Sequence, residues 1–175
     1  MVEWRLLSMK YNKIILITIM LSLNLNSILA KKSDRDLPIK ILTDNAEGNL
    51  DASNVQIFGN ITIEQGTLLI HANKVNYKGI ANKNQMINTS GNPATFQQVL
   101  DTKDQGGKNQ VLKARANNIV YNGQTGNVTM QGDAHLNIGN NTISGNKIDY
   151  NTITEKYKVS SSKNKKASIV IYPKK

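Results

Sequence analysis

From Asn54 onward, apolar and polar residues take turns along the chain. Val55, Ile57, Ile61 and Ile63 fall on one parity, Leu68, Ile70 and Ala72 on the other, and Val75 and Tyr77 switch back. A period of two puts alternate side chains on one face of a pleated strand, so each run predicts a strand with one buried face. The parity switches fall beside turn residues, Gly66 and the Asn73–Lys74 pair. Gly59–Asn60 and Gly132–Asp133 are turn or bulge candidates, because glycine reaches positive φ without steric cost.

The same phrase returns 73 residues later. Asn54 to Tyr77 aligns without a gap to Asn127 to Tyr150, and eight of the 24 positions are identical. A chain this rich in Asn and Gly would match at about two by chance, so the segment is a repeat. Substitutions within it keep their character: Ile57 meets Met130, Ile63 meets Leu136 and Val75 meets Ile148. The register extends outward, with Lys40 against Lys113 and Ala94-Thr95-Phe96 against Ala167-Ser168-Ile169. Further strands are expected over Leu37 to Ile41, Pro93 to Val99, Val111 to Tyr121, Glu155 to Ser160 and Ala167 to Tyr172. Polar connections are expected over Lys78 to Asn92 and Asp101 to Asn109. No helical period appears in the mature chain, which reads as all-β: a sandwich, jelly roll or barrel.

The first 30 residues stand apart. Lys10 and Lys13 precede an apolar run from Ile14 to Leu23, and Ser27-Ile28-Leu29-Ala30 ends on a small residue. That is the layout of a secretory signal cleaved after Ala30, with Met9 a candidate true start; a membrane span wants about 20 apolar residues. Residues 31–36 form a charged, flexible lead-in in which Asp34-Arg35-Asp36 is expected to be solvated, and 37–173 form the domain. The leader holds three of the chain's 22 basic and one of its 12 acidic residues, so the remainder keeps a net charge of +8. With no cysteine there are no disulfides. Export without disulfides suits the bacterial periplasm. The basic balance suits a phosphate-bearing lipid or an anionic membrane surface; nucleic acid is not expected, because export and few exposed aromatics count against it.

Catalytic chemistry has no foothold. His71 and His135 are isolated and fall at different places in the two copies, with no partner at metal-ligand spacing. Asp149 has Asn76 for its counterpart, so no duplicated carboxylate pair emerges. Neither an enzyme nor a cofactor or metal site is expected. The inward-facing positions include Ile39, Ile41, Val55, Ile57, Ile63, Val75, Phe96, Tyr121, Met130, Leu136 and Ile148. They either fill a core or line an open apolar groove that takes a lipid.

Six motifs in order resemble the OstA-like family of periplasmic lipopolysaccharide transport proteins. They are P-I-K-I from Pro38, N-V-x-I-x-G-N-I-x-I-x-Q-G-T-L-x-I-x-A-x-K-V from Asn54, G-N-P-A-T-F ending at Phe96, A-x-x-I-x-Y ending at Tyr121, G-x-A-x-L from Gly132 and I-x-G-x-K-I-x-Y from Ile143. The resemblance spans Leu37 to Pro173. It implies an open, twisted antiparallel β-jellyroll, here built from two related halves, of about sixteen short strands. It implies a bridge that carries lipopolysaccharide from inner to outer membrane, with its lipid A acyl chains in the groove. The partners so implied are inner-membrane LptC-like and outer-membrane LptD-like jellyroll domains, and further copies of the chain itself, head to tail. The lipid-binding positions it implies are Ile39, Ile41, Phe96 and Tyr121. Where the family carries a large aliphatic two residues past that tyrosine, this chain has Gly123, which either widens the groove or shifts the register. A membrane-anchored LptC-like component, or a structural adhesin of stacked repeats, are the alternatives. The uncharged last strand and the lightly charged first one are expected to leave sheet edges open to pairing.

Overall fold

The computed structural model describes residue 34 and residues 36–49, 54–78, 85–163 and 166–173. The expected leader, and with it the choice between cleavage and anchoring, lies outside this set. The strands are β1 (Lys40–Leu42), β2 (Asn45–Gly48), β3 (Asn54–Gln65), β4 (Leu68–Lys78), β5 (Met86–Lys103), β6 (Asn109–Asn122), β7 (Asn127–Ile138), β8 (Asn141–Asn151), β9 (Tyr157–Ser160) and β10 (Ser168–Val170). All pair antiparallel in one sheet of order β1-β3-β4-β5-β6-β7-β8-β10, with β2 also on β3 and β9 also on β8. The sheet is open: β1 and β10 sit at its two ends and do not pair with each other. Alternation predicted an all-β chain and the family resemblance an open antiparallel jellyroll, and both describe what forms.

One feature of register turns this sheet into two layers. Pairing slips between Phe58 and Ile61 on β3, His71 and Lys74 on β4, Ser90 and Ala94 on β5, Arg115 and Asn118 on β6, and Gln131 and Ala134 on β7. These β-bulges lie side by side across the sheet. A bulge bends its strand and raises the local twist, so a row of them forms a crease. The long strands β3 to β8 cross it and the short ones stop at it, which divides the sheet into two wings of eight segments each. That reconciles ten strands with the sixteen short ones implied by resemblance. Gly59 (φ +102°) and Gly132 (φ +79°) lie within the slipped segments, as their sequence context predicted. The alanines Ala72, Ala94, Ala116 and Ala134 border the crease and are buried.

Several boundaries differ from the sequence reading. The polar stretch before Pro93 is not wholly a connection, because β5 begins at Met86 and runs on past it. Its polarity misleads because Thr89 points inward and donates its hydroxyl to the Ile119 carbonyl at 2.9 Å, which satisfies a group that burial would otherwise penalise. The connection expected from Asp101 to Asn109 contracts to a turn. Asp104 Oδ1 accepts from the amides of Gly106 and Lys108, both at 2.9 Å, and Gly107 takes φ +75°. β1 starts at Lys40, two residues beyond Pro38. Asp34, expected to be solvated, instead accepts from the Thr67 amide at 3.1 Å and its hydroxyl at 2.5 Å, which ties Asp34 to the β3–β4 turn.

Candidate functional site

The inner faces of the two wings meet. Ile57, Val75, Met130, Ile148 and Tyr121 come from the wing that carries β2 and β9; Ile63, Leu136 and Phe96 come from the wing that carries β1 and β10. All eight are buried in a single apolar cluster, against which Ile39, Ile41 and Val55 are packed while still partly exposed. The sequence-predicted positions therefore converge on one interior, with Ile39 and Ile41 at its edge beside β1. The Phe96 and Tyr121 rings touch across the gap between wings, with centroids 5.4 Å apart and planes tilted by 60°.

Sequence reasoning passed over part of this lining. Ile87, Leu100 and Leu112 are as buried as the positions it named. Ile87 stands in a polar run, so no alternation marks it. Four polar residues, Gln65, Thr89, Gln98 and Thr152, are also buried. Gly123 does not widen the interior. It is buried, its amide donates to the Gln85 carbonyl at 2.9 Å, and a β-carbon there would lie 2.9 Å from Gln85 Oε1; Gln85 occupies the space.

Polar contacts between the wings are sparse. Thr102, at the end of β5, donates its hydroxyl to Glu155 in the β8–β9 connection. Beside that contact, at the β10 end, a cavity of about 230 Å³ opens between Leu136, Ile143, Ile171, Tyr150 and Tyr157. The Tyr150 hydroxyl is buried with no hydrogen-bond partner among the described residues. Burial, and secondarily the nearby Glu155 carboxylate, pushes its pKa well above the ordinary 10.0. Burial likewise raises that of Tyr77, whose hydroxyl is also unpartnered among the described residues. An apolar interior with a few orphaned hydroxyls offers shape-tolerant contact to chains of methylene groups and little to hold a polar ligand.

His71 and His135 both point outward on the wing of β1; His71 Nδ1 lies 3.1 Å from the Thr62 hydroxyl and His135 Nε2 3.4 Å from Asp133. Neither reaches the interior.

Comparison with known proteins gives a consistent picture. Residues 40–156 match the family described as LptA/(LptD N-terminal domain) LPS transport protein. The lipopolysaccharide export system protein LptA of Haemophilus influenzae is 28% identical over 165 residues, covering 93% of this chain and 92% of the relative. Its Escherichia coli K12 namesake is 30% identical over 146 residues, 82% of this chain and 76% of the relative. Among solved structures, the crystal structure of LptH, the LptA homologous periplasmic component of the lipopolysaccharide transport device of Pseudomonas aeruginosa, superposes with a TM-score of 0.70 at 25% identity. That match covers 81% of this chain and 99% of the other.

Proposed function

Because the chain belongs to the LptA/(LptD N-terminal domain) LPS transport protein family, we propose that it carries lipopolysaccharide through the periplasm between its two wings. The observation that carries this reading is the open sheet whose one apolar interior extends to both unpaired ends. Exposing an acyl chain to water costs about 0.8 kcal/mol per methylene. A lipid with several chains therefore crosses an aqueous compartment only inside an apolar cover. In this reading the wings part along the crease and acyl chains take the place of the contacts that inner side chains make with one another, Phe96 on Tyr121 among them. Ile39 and Ile41 meet the lipid at the β1 end. Dispersion contacts are non-directional, so a chain slides past successive isoleucines and leucines without a deep well to stop it. The net charge of +8 left after removal of the leader favours the lipid's phosphates at the groove margin.

The chain works as one link in a bridge, its ends meeting other copies of itself, an LptC-like domain at the inner membrane and an LptD-like domain at the outer membrane. Paired main-chain edges accept related jellyrolls because they ask for strand geometry more than for particular side chains. Family membership and a single two-copy sheet do not favour an adhesin. In this reading the leader is removed after Ala30; an intact mass that begins at Lys31 supports release into the periplasm, and one that retains Ile14 to Leu23 supports anchoring instead.

The groove is tested by placing a photo-reactive residue at Phe96, and separately at the exposed, outward Gln56, in a native envelope. A lipopolysaccharide adduct at Phe96 and none at Gln56 is expected. Equal labelling at both overturns the groove.

A further inference from the structure

The duplication carries cross-strand pairs with it, and in one place their charge has changed. A shift of 73 residues takes β3 onto β7 and β4 onto β8 from first residue to last. Lys40 opposite Glu64 becomes Lys113 opposite Asn137, and Leu42 opposite Thr62 becomes Arg115 opposite His135. In the first copy the lysine has its carboxylate, with Lys40 Nζ 3.4 Å from Glu64. In the second copy that carboxylate is an amide, and a second cation stands on the same face of β6. Cations on the outer face of the other wing are accommodated differently. Lys147 Nζ lies 3.0 Å from Asp149, and Lys74 Nζ lies 5.3 Å over the Phe58 ring. Among the described residues, neither Lys113 nor Arg115 has a carboxylate at ion-pair distance.

These two cations border a hollow in the outer face of the wing that carries β1. It has a volume of about 260 Å³; His71, Thr95, Gln97, Lys113, Arg115 and Asn137 line it, and no described carboxylate does. Pairing sets them side by side. His71 faces Thr95 and Thr95 faces Arg115 in one row, while Gln97 and Asn137 flank Lys113 in the next. Lys113 and Arg115 are exposed, and two residues of strand separate them by about 6.5 Å. Cations that close repel, and an anion seated between them removes the repulsion. The Arg115 fork can take two phosphate oxygens at once, and Lys113 adds a point charge. The Thr62 hydroxyl lies 3.1 Å from His71 Nδ1; when it donates there, the ring proton sits on Nε2 as a further donor. His135 is drawn aside by Asp133 at 3.4 Å. Thr95, Gln97 and Asn137 both give and accept hydrogen bonds, as the hydroxyls of a sugar do.

We propose that this hollow binds a soluble phosphorylated sugar. The phosphate sits between Lys113 and Arg115, and the sugar lies over Thr95, Gln97 and Asn137. The hollow is larger than a bare phosphate requires, and the amides and hydroxyl beside the cations give the sugar its contacts. A concave site with a few fixed polar groups suits a discrete ligand. An anionic membrane surface is met instead by clusters of several flexible basic side chains. The sheet itself lies between the hollow and the apolar interior, so the bound sugar is not the headgroup of a lipid held in the same molecule. Such a site depends on neither the groove nor the bridge.

Ligand-observed NMR on the full chain tests this, with glucose 6-phosphate, inorganic phosphate and glucose as probes. Glucose 6-phosphate is expected to bind about tenfold more tightly than either of the others, since each lacks one set of hydrogen bonds. Asn137→Glu restores the first-copy carboxylate opposite Lys113 and should weaken that binding about tenfold or more, as should Arg115→Ala. Gln56→Glu makes the same change of net charge on the outer face of the other wing and should leave binding unchanged. All three positions are exposed, and thermal midpoints equal to the parent's show that the fold is intact. A loss in Gln56→Glu as large as in Asn137→Glu overturns the site, because net charge alone then accounts for binding. Equal binding of inorganic phosphate and glucose 6-phosphate overturns the sugar and leaves an anion site. No binding of glucose 6-phosphate overturns the proposal. If the parent then captures phosphatidylglycerol vesicles and Arg115→Ala does not, these cations belong to a membrane-facing surface instead.

Discussion

Phe96 and Tyr121 stand on opposite wings of one sheet, yet their rings are 5.4 Å apart. Phe96 pairs along its own wing with Ala114, and Tyr121 along the other with Ile87. Their contact therefore reports that the crease is closed. Phe96→Ala and Tyr121→Ala should each destabilise the fold by about 3–5 kcal/mol. In a urea-denaturation double-mutant cycle the two should couple by about 0.5–1.5 kcal/mol, the range for tilted aromatic pairs. Strict additivity would mean that the wings do not meet through these rings in solution.

Ile57 pairs with Val75 and Ala46 in the other wing and is 1% exposed. Ile57→Asp buries a carboxylate with no partner, so it should cost at least about 4 kcal/mol and lower the urea midpoint steeply. Gln56→Asp, one residue away on the outer face, should stay within about 0.5 kcal/mol of the parent. Similar midpoints for the two would contradict the inward direction of Ile57.

The crease depends on backbone that only glycine adopts cheaply. Gly132 has φ +79°, and a β-carbon there would meet Asn117 Nδ2 at 2.7 Å. Gly132→Ala should cost about 1–2 kcal/mol from left-handed backbone strain, and Gly59→Ala (φ +102°) a similar amount. Gly106→Ala, in the β5–β6 turn at negative φ, is the control and should leave the thermal midpoint unchanged.

Burial raises the pKa of the Tyr150 hydroxyl above its ordinary value of 10.0, and Glu155 raises it further. The folded state therefore keeps this proton at a pH where the unfolded chain releases it. The stability so contributed is complete below pH 10 and falls as pH rises beyond it. Tyr77, shifted the same way, adds to the effect. Denaturation midpoints should be level up to about pH 10 and decline above it, with a shallower decline in Tyr150→Phe. An identical decline in the variant would assign the effect to other groups.

Much of this molecule is local and so legible along the chain. Side-chain direction alternates with every residue of a strand, so the parity of Ile57, Ile61 and Ile63, and its reversal at Leu68 and Ile70, named the inner face directly. A duplication preserves that parity, which is why β3 and β4 predicted β7 and β8 in kind and in length. Gly59 and Gly132 announced their bulges because a positive φ is a demand on one residue. What depended on partners was not visible. Thr89 reads as a loop residue until the Ile119 carbonyl receives its hydroxyl, Asp34 reads as solvated until Thr67 lies beside it, and Gly123 reads as a gap until Gln85 fills it. The alignment of five bulges into one crease is a relation between strands, set by pairing register. It decided that Phe96 faces Tyr121, and that a run of single strands encloses an interior at all. Alternation settles which side of a strand is apolar, whereas only the crease settles what that side is turned toward.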